Sequence, residues 1–177
     1  MHTAHAPTGV DRPASLAAHS PELRTVQLGT ADRGELRAHL QRLDADDRRM
    51  RFMRGMSDSD LQVFVDALDF TAATRLGILD PDGELVALAE GFAYSNGTRT
   101  DMEVALSTDA AWRRRGLATR LFHAMAKLAR ERGIDRLVLQ CDSRNTGMRR
   151  LLNGVDAETR NESGETTAVW HCTRGQQ

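Results

Sequence analysis

The sequence predicts a mixed α/β domain (α+β in layout) with one central, mostly antiparallel sheet flanked by helices. Three observations predict it. Stretches of period-two alternation come as a consecutive run of three and again as a final pair, the pattern of meanders and hairpins. Helical-period stretches gather ahead of that run and again between the run and the final pair. The strict βαβαβ alternation of a doubly wound sheet is therefore missing. At 177 residues, the chain can bury one good core but is short for two.

The elements follow in order. Residues 1–20, rich in Pro, Ser, Ala and His, are expected to be a flexible tail, and residues 21–177 a single domain. Residues 23–28 alternate apolar and polar side chains as a half-buried strand does. Thr30 is placed to cap a helix through Arg42 that carries Leu36, Leu40 and Leu43 on one face. Residues 44–54 read as a second short helix. Ser57 or Ser59 opens a third, with Leu61, Phe64, Val65 and Leu68 at helical spacing. Strands at 74–79 and 84–94 are joined by Asp80-Pro81-Asp82-Gly83, and Asn96-Gly97 turns the chain into a third at 101–107. The strongest helix spans 116–132, with Leu117, Leu121, Met125 and Leu128 as its stripe and Gly133 as its stop. A buried strand at 136–141, a short helix at 145–152 and a hairpin of 155–160 with 166–172 around residues 161–164 complete the chain.

Composition narrows the function. Hydrophobic residues make up 40% and charged residues 28%, as in ordinary soluble domains, and the net charge of −1 supplies no field for nucleic acid or an acidic membrane surface. No run approaches the ~20 apolar residues that cross a bilayer, and the N-terminus lacks the layout of a secretory signal. A cytoplasmic protein is the expectation. Cys141 and Cys172 have no metal-ligand spacing and read as small buried hydrophobes, so neither a disulfide nor a metal site is expected.

The informative segment runs from Glu103 to Phe122. A strand ends, a loop passes Trp112, and the turn Arg113-Arg114-Arg115-Gly116 opens the long helix. The first turn of a helix carries unpaired N–H groups and the positive end of the macrodipole. Gly116 permits positive φ, Ala118 keeps the surface low, and Thr119 adds a hydroxyl. With Leu117 they form a site where a pyrophosphate can settle against amides, under the positive potential of Arg113, Arg114 and Arg115.

Here the chain resembles the GNAT superfamily of N-acetyltransferases, whose coenzyme A motif is Gln/Arg-x-x-Gly-x-Gly/Ala. Arg113, Gly116 and Ala118 fill its specified positions. The resemblance extends from about Leu23 to Trp170. It is nearest to the acetyltransferase domain of bacterial protein-lysine acetyltransferases, in which an acidic helix runs into an Arg-Phe pair, as Asp44 to Phe52 does here, and a glutamate stands at the spacing of Glu103 from Arg113. The resemblance implies a GNAT fold, acetyl-CoA as cosubstrate and an amine acceptor.

Acetyl transfer needs a neutral amine, whereas lysine ordinarily titrates near ~10.4, so a base is required. Alternation puts Met102, Val104 and Leu106 on one face of their strand and Glu103, Ala105 and Ser107 on the other. Glu103 is the first candidate base. Glu90 is the second, with substrate binding or pairing to an arginine as its other roles. The resemblance further implies a backbone N–H at Leu106 as donor to the thioester oxygen. It also implies a strand pair that splays to admit pantetheine, for which a β-bulge around 105–107 would serve. Asn145 resembles the family asparagine near the pantetheine and is also a plain helix cap. The position where relatives often carry a tyrosine acid is Leu152, the helix before it looks shortened, and Tyr94 reads as packing or lining the acceptor mouth.

Two other classes remain open. One is a catalytically weak or inactive acyl-CoA-binding regulatory module, suggested by the missing acid. The other is a nucleic-acid protein using its arginine clusters, which the balanced charge and lack of interleaved aromatics oppose. The acceptor, and whether the chain is a monomer or homodimer, are not written in the sequence.

Overall fold

The computed structural model describes residues 22–172; the expected tail lies outside the described residues. Its strands are β1 (Arg24–Gln27), β2 (Thr74–Leu79), β3 (Leu85–Asn96), β4 (Arg99–Thr108), β5 (Arg136–Asp142), β6 (Glu158–Glu162) and β7 (Glu165–His171). They form one sheet in the order β1-β2-β3-β4-β5-β7-β6. Only the β4–β5 pair is parallel; the others are antiparallel. Three helices, α1 (Arg33–Arg42), α2 (Ala45–Phe52) and α3 (Asp58–Asp66), separate β1 from β2. A long helix α4 (Leu117–Glu131) links β4 to β5, and α5 (Thr146–Gly154) follows β5. This is the mixed α/β architecture that the sequence predicts.

The sheet buries both faces. The α4 stripe of Leu117, Leu121, Phe122, Met125, Ala126 and Ala129 packs with Ala89, Met102, Val104, Leu137 and Leu139. On the other face Leu36, Leu40, Leu61 and Val65 of α1 and α3 pack with Leu28, Leu85 and Leu88. A fully buried leucine contributes about 1.5–3 kcal/mol, so these two layers fix the sheet from both sides. Cys141 and Cys172 are buried free thiols.

Several boundaries differ from the sequence reading for local reasons. Thr30 does not cap α1; it begins a single 3₁₀ turn, and the Asp32 carboxylate accepts from the Gly29 N–H at 2.7 Å. Gly133 does stop α4, at φ +70, with Ile134 N–H donating to the Ala129 carbonyl at 2.9 Å, the long bond of a Schellman end. Helix α5 runs two residues past the expected end at Leu152, to Gly154, and the chain leaves it through Asp156 at φ +55. The last hairpin turns tightly at Ser163 and Gly164, both at positive φ, so β6 reaches Glu162 where a wider loop was expected. No helix among the described residues is long and apolar enough to cross a membrane.

Candidate active site

Strands β4 and β5 pair only at Asp101–Arg136, Met102–Leu137 and Glu103–Val138. Beyond that, β4 continues to Thr108 and β5 to Asp142 as separate arms. The splay needs no bulge in β4: the β3–β4 register runs unbroken from Ala87–Thr108 to Asn96–Arg99. Between the arms opens a cleft of about 850 Å³, lined by Leu106, Ser107 and Thr108 on one arm and Gln140 and Cys141 on the other. Asp109 N–H donates to the Val86 carbonyl on the β3 side. Alternation therefore turns the N–H groups of Thr108 and Leu106 toward the unpaired edge.

The cleft ends on the turn before α4. Arg114 (φ +59) and Gly116 (φ +77) both adopt left-handed backbone, the geometry in which successive amides converge on an anion. Gly116 is the N-cap and brings no side-chain bond, so the amides of Leu117, Ala118 and Thr119 keep their helix-start vacancies facing the cleft these residues line. A Cβ at Gly116 would meet nothing within 4 Å, so the glycine answers to backbone conformation and not to packing.

The three arginines have separate engagements. Arg113 is ion-paired with Asp47 of α2. Arg115 stacks its guanidinium 4.7 Å from the centre of the Trp112 ring and lies outside the lining. Arg114 lines the cleft and has no ion pair among the described residues.

Neither candidate base lines the cleft itself. Glu103 is exposed at the last β4–β5 pair, beside the point where the arms part, on the face that also carries Phe92 and Tyr94. Tyr94 is 42% exposed. Burial, then the charges of Asp101 and Glu103, raise its phenol above the usual range, so it stays protonated. Glu90 is fully buried, with Arg75 donating at 2.8 Å to one oxygen and Arg51 bonded to the other. Of the roles weighed for Glu90, the geometry is that of arginine pairing. Asn145 lines the cleft and caps α5, its Oδ1 accepting from the Met148 N–H at 2.9 Å. Leu152 is buried in the α4-side core.

Helix α2 forms a wall of the cleft through Asp46, Asp47, Met50 and Arg51. One feature escaped the sequence reading. Behind Ser107 stands His39, completely buried, with Nε2 2.8 Å from Ser107 Oγ and Nδ1 2.8 Å from Asp109 Oδ1. The signal was legible: His39 falls on the stripe Leu36, Leu40, Leu43, where a polar side chain needs partners.

The sequence matches the model of the Acetyltransferase (GNAT) family over residues 38–154. Among solved structures, the GNAT domain of S. lividans PAT is 22% identical and covers 84% of this chain and 90% of its own, with a TM-score of 0.72. An N-acetyltransferase from Staphylococcus aureus Mu50 is 11% identical over 86% of this chain and 99% of its own, TM-score 0.67. Arabidopsis thaliana NAA60, solved in complex with acetyl-CoA, is 15% identical over 85% and 98%, TM-score 0.63. At these identities the likeness is one of fold. No curated protein matches the sequence.

Proposed function

Because the chain belongs to the acetyltransferase (GNAT) family and is an acetyltransferase by that membership, we propose that it moves the acetyl group of acetyl-CoA to a primary amine, a protein lysine or a small molecule. The observation that carries this is the V-shaped opening between β4 and β5, which ends on the uncapped, doubly left-handed turn at Arg114 and Gly116. In this reading the pantetheine amides pair with the free β4 edge as an added strand would. The pyrophosphate sits on the amides of Gly116 to Thr119, with Arg113 and Arg114 nearby. Arg115 contributes to the local potential, and Asn145 borders the opposite wall.

Glu103 is proposed as the base that takes the amine proton, directly or through water, and the Leu106 N–H as donor to the thioester oxygen. The position of Glu103 at the apex of the V supports this, since the thioester end of a ligand laid along the cleft points there. Glu90 is retained only as a proposal of second rank, its carboxylate being held by two guanidiniums. The resemblance to bacterial protein-lysine acetyltransferases, with an acidic α2 beside the site, favours a lysine side chain among amines.

A panel of primary amines and lysine peptides, read by free thiol release from acetyl-CoA, tests the proposal. Amine-dependent turnover is expected. The buried leucine at position 152 favours one rival, a module that binds acyl-CoA without chemistry. Tight acetyl-CoA binding with no turnover on any amine would select that rival.

A further inference from the structure

Ser107, His39 and Asp109 come from β4, α1 and the loop after β4, yet they lie in one line behind the cleft wall. Ser107 lines the cleft. Its Oγ is 2.8 Å from His39 Nε2. On the other side of the ring, Nδ1 makes its hydrogen bond to the Leu85 carbonyl at 3.1 Å, and Asp109 Oδ1 lies 2.8 Å away as a charge neighbour, itself without a hydrogen-bond partner. Both of those neighbours are acceptors, so the ring hydrogen belongs on Nδ1. Nε2 is left as the lone-pair nitrogen and accepts from the Ser107 hydroxyl.

Asp109 is itself anchored, Oδ2 accepting from Arg42 Nε at 2.7 Å. Burial opposes its ionisation, but the contacts from His39 and Arg42 prevail and hold its carboxyl below the usual range. Serine hydroxyl, imidazole with its outer nitrogen turned to the serine, and a carboxylate beside the inner nitrogen make up the arrangement that activates a serine for acyl transfer. The amides on either side of Ser107, those of Leu106 and Thr108, point to the free strand edge, where a developing oxyanion can be met.

We infer that Ser107 is a nucleophile toward the acetyl thioester, so that the protein forms an acetyl-serine and hydrolyses acetyl-CoA when no amine is present. The inference rests on the reading of the cleft as an acetyl-CoA site. Ser107 Oγ bonds to the acetyl carbonyl carbon while its proton passes to His39 Nε2. The carbon–sulfur bond breaks, and the departing thiolate takes that proton. Water then attacks the acetyl-serine, His39 accepts the water proton and returns it to Oγ, and acetate leaves. His39 exchanges protons through Nε2, on its Ser107 side, while its Nδ1–H stays on the Leu85 carbonyl with Asp109 alongside as countercharge. Cys141 also lines the cleft, but burial pushes its thiol up and away from thiolate chemistry.

The full chain is incubated with acetyl-CoA and no amine, thiol release is followed, and acid-quenched samples are digested and weighed by peptide. Expected are steady thiol release and one acetyl group on the peptide carrying Ser107. Ser107→Ala should lose the adduct and slow release by about a hundredfold or more, while calorimetry shows unchanged acetyl-CoA affinity. Asp109→Asn, checked by the same calorimetry for a folded cleft, should slow release with the adduct still on Ser107. Parent protein that binds acetyl-CoA without adduct or release overturns the inference, as does an adduct on Cys141 or undiminished release by Ser107→Ala. Those results leave the amine reading to its own panel, whereas failure to bind acetyl-CoA overturns both.

Discussion

Arg113, in the turn before α4, is ion-paired with Asp47 of α2, and both side chains line the same cleft. An arginine proposed to face a pyrophosphate is thus already engaged by a carboxylate of the opposite wall. Asp47 competes with phosphate oxygens for the guanidinium and adds a like charge beside the ligand. Asp47→Asn is expected to tighten acetyl-CoA binding two- to fivefold. That range follows from the ~1 kcal/mol at most that a partly exposed pair contributes, and calorimetry at low salt measures it. Weaker binding by the variant would mean that Asp47 serves to position Arg113.

Gly116→Glu places a side chain at φ +77 and a negative charge where phosphate must approach. A Cβ there meets no other atom, so the structural cost is the left-handed backbone alone, about 1 kcal/mol. Acetyl-CoA affinity should drop at least tenfold, about 1.4 kcal/mol, with a melting temperature only a few degrees below the parent's.

Salt should weaken acetyl-CoA binding, because the proposed phosphate contacts are exposed and screened. Changing all three arginines to alanine should flatten that dependence. Arg114→Ala should account for most of it, since Arg113 is tied to Asp47 and Arg115 lies on Trp112. Equal effects from the three single changes would contradict this division of roles.

Glu103→Gln and Glu90→Gln should separate chemistry from stability. With an active amine, Glu103→Gln is expected to lower kcat by 10²–10⁴ and leave coenzyme affinity alone, the defect shrinking as pH rises and more amine arrives neutral. Glu90→Gln should instead destabilise the protein by about 3 kcal/mol or more, because it strips the countercharge from the buried Arg75. Urea unfolding and a pH–rate profile on both variants decide it.

Asp101 is fully buried, and hydrogen bonds from Arg136, one at 2.9 Å, hold its carboxyl below the usual range. A depressed folded pKa gives stability that is complete above the unfolded value of about 3.9 and is lost as pH falls through the folded one. Asp101→Asn should therefore be less stable than the parent at neutral pH and should lose less on acidification. Urea midpoints followed down from neutral pH check this.

Much of this was legible in the residues. Period-two alternation in 74–107 and the Leu117, Leu121, Met125 stripe gave the meander and its covering helix, because in each the buried face is continuous. The turn at Gly116 was legible because positive φ has few residue solutions. What stayed hidden depends on distance in the chain. Nothing local tells that Arg51 and Arg75 meet on Glu90, or that His39 reaches Ser107. The parting of β4 from β5 was expected from the resemblance, but the sequence shows no cause for it, and a bulge is not that cause. It occurs instead because β5 turns to β7, with which it pairs along its whole length from Arg136–His171 to Asp142–Glu165, while holding β4 at three positions.

That short seam divides the sheet into two leaves, β1 to β4 and β5 to β7, stapled at one end. The staple is dense: Arg136 grips Asp101, Thr100 N–H donates to Asp135, and the Asp135 N–H returns a bond to the Thr100 carbonyl at 2.8 Å. Toward the open end, no backbone ladder joins the leaves. A ligand threaded there would stand in as the missing rung, so the cosubstrate, bound as proposed, would also be a structural member of the fold. The amides of Val104 to Thr108 and of Leu139 to Asp142 are where hydrogen exchange should register each arrival and exit.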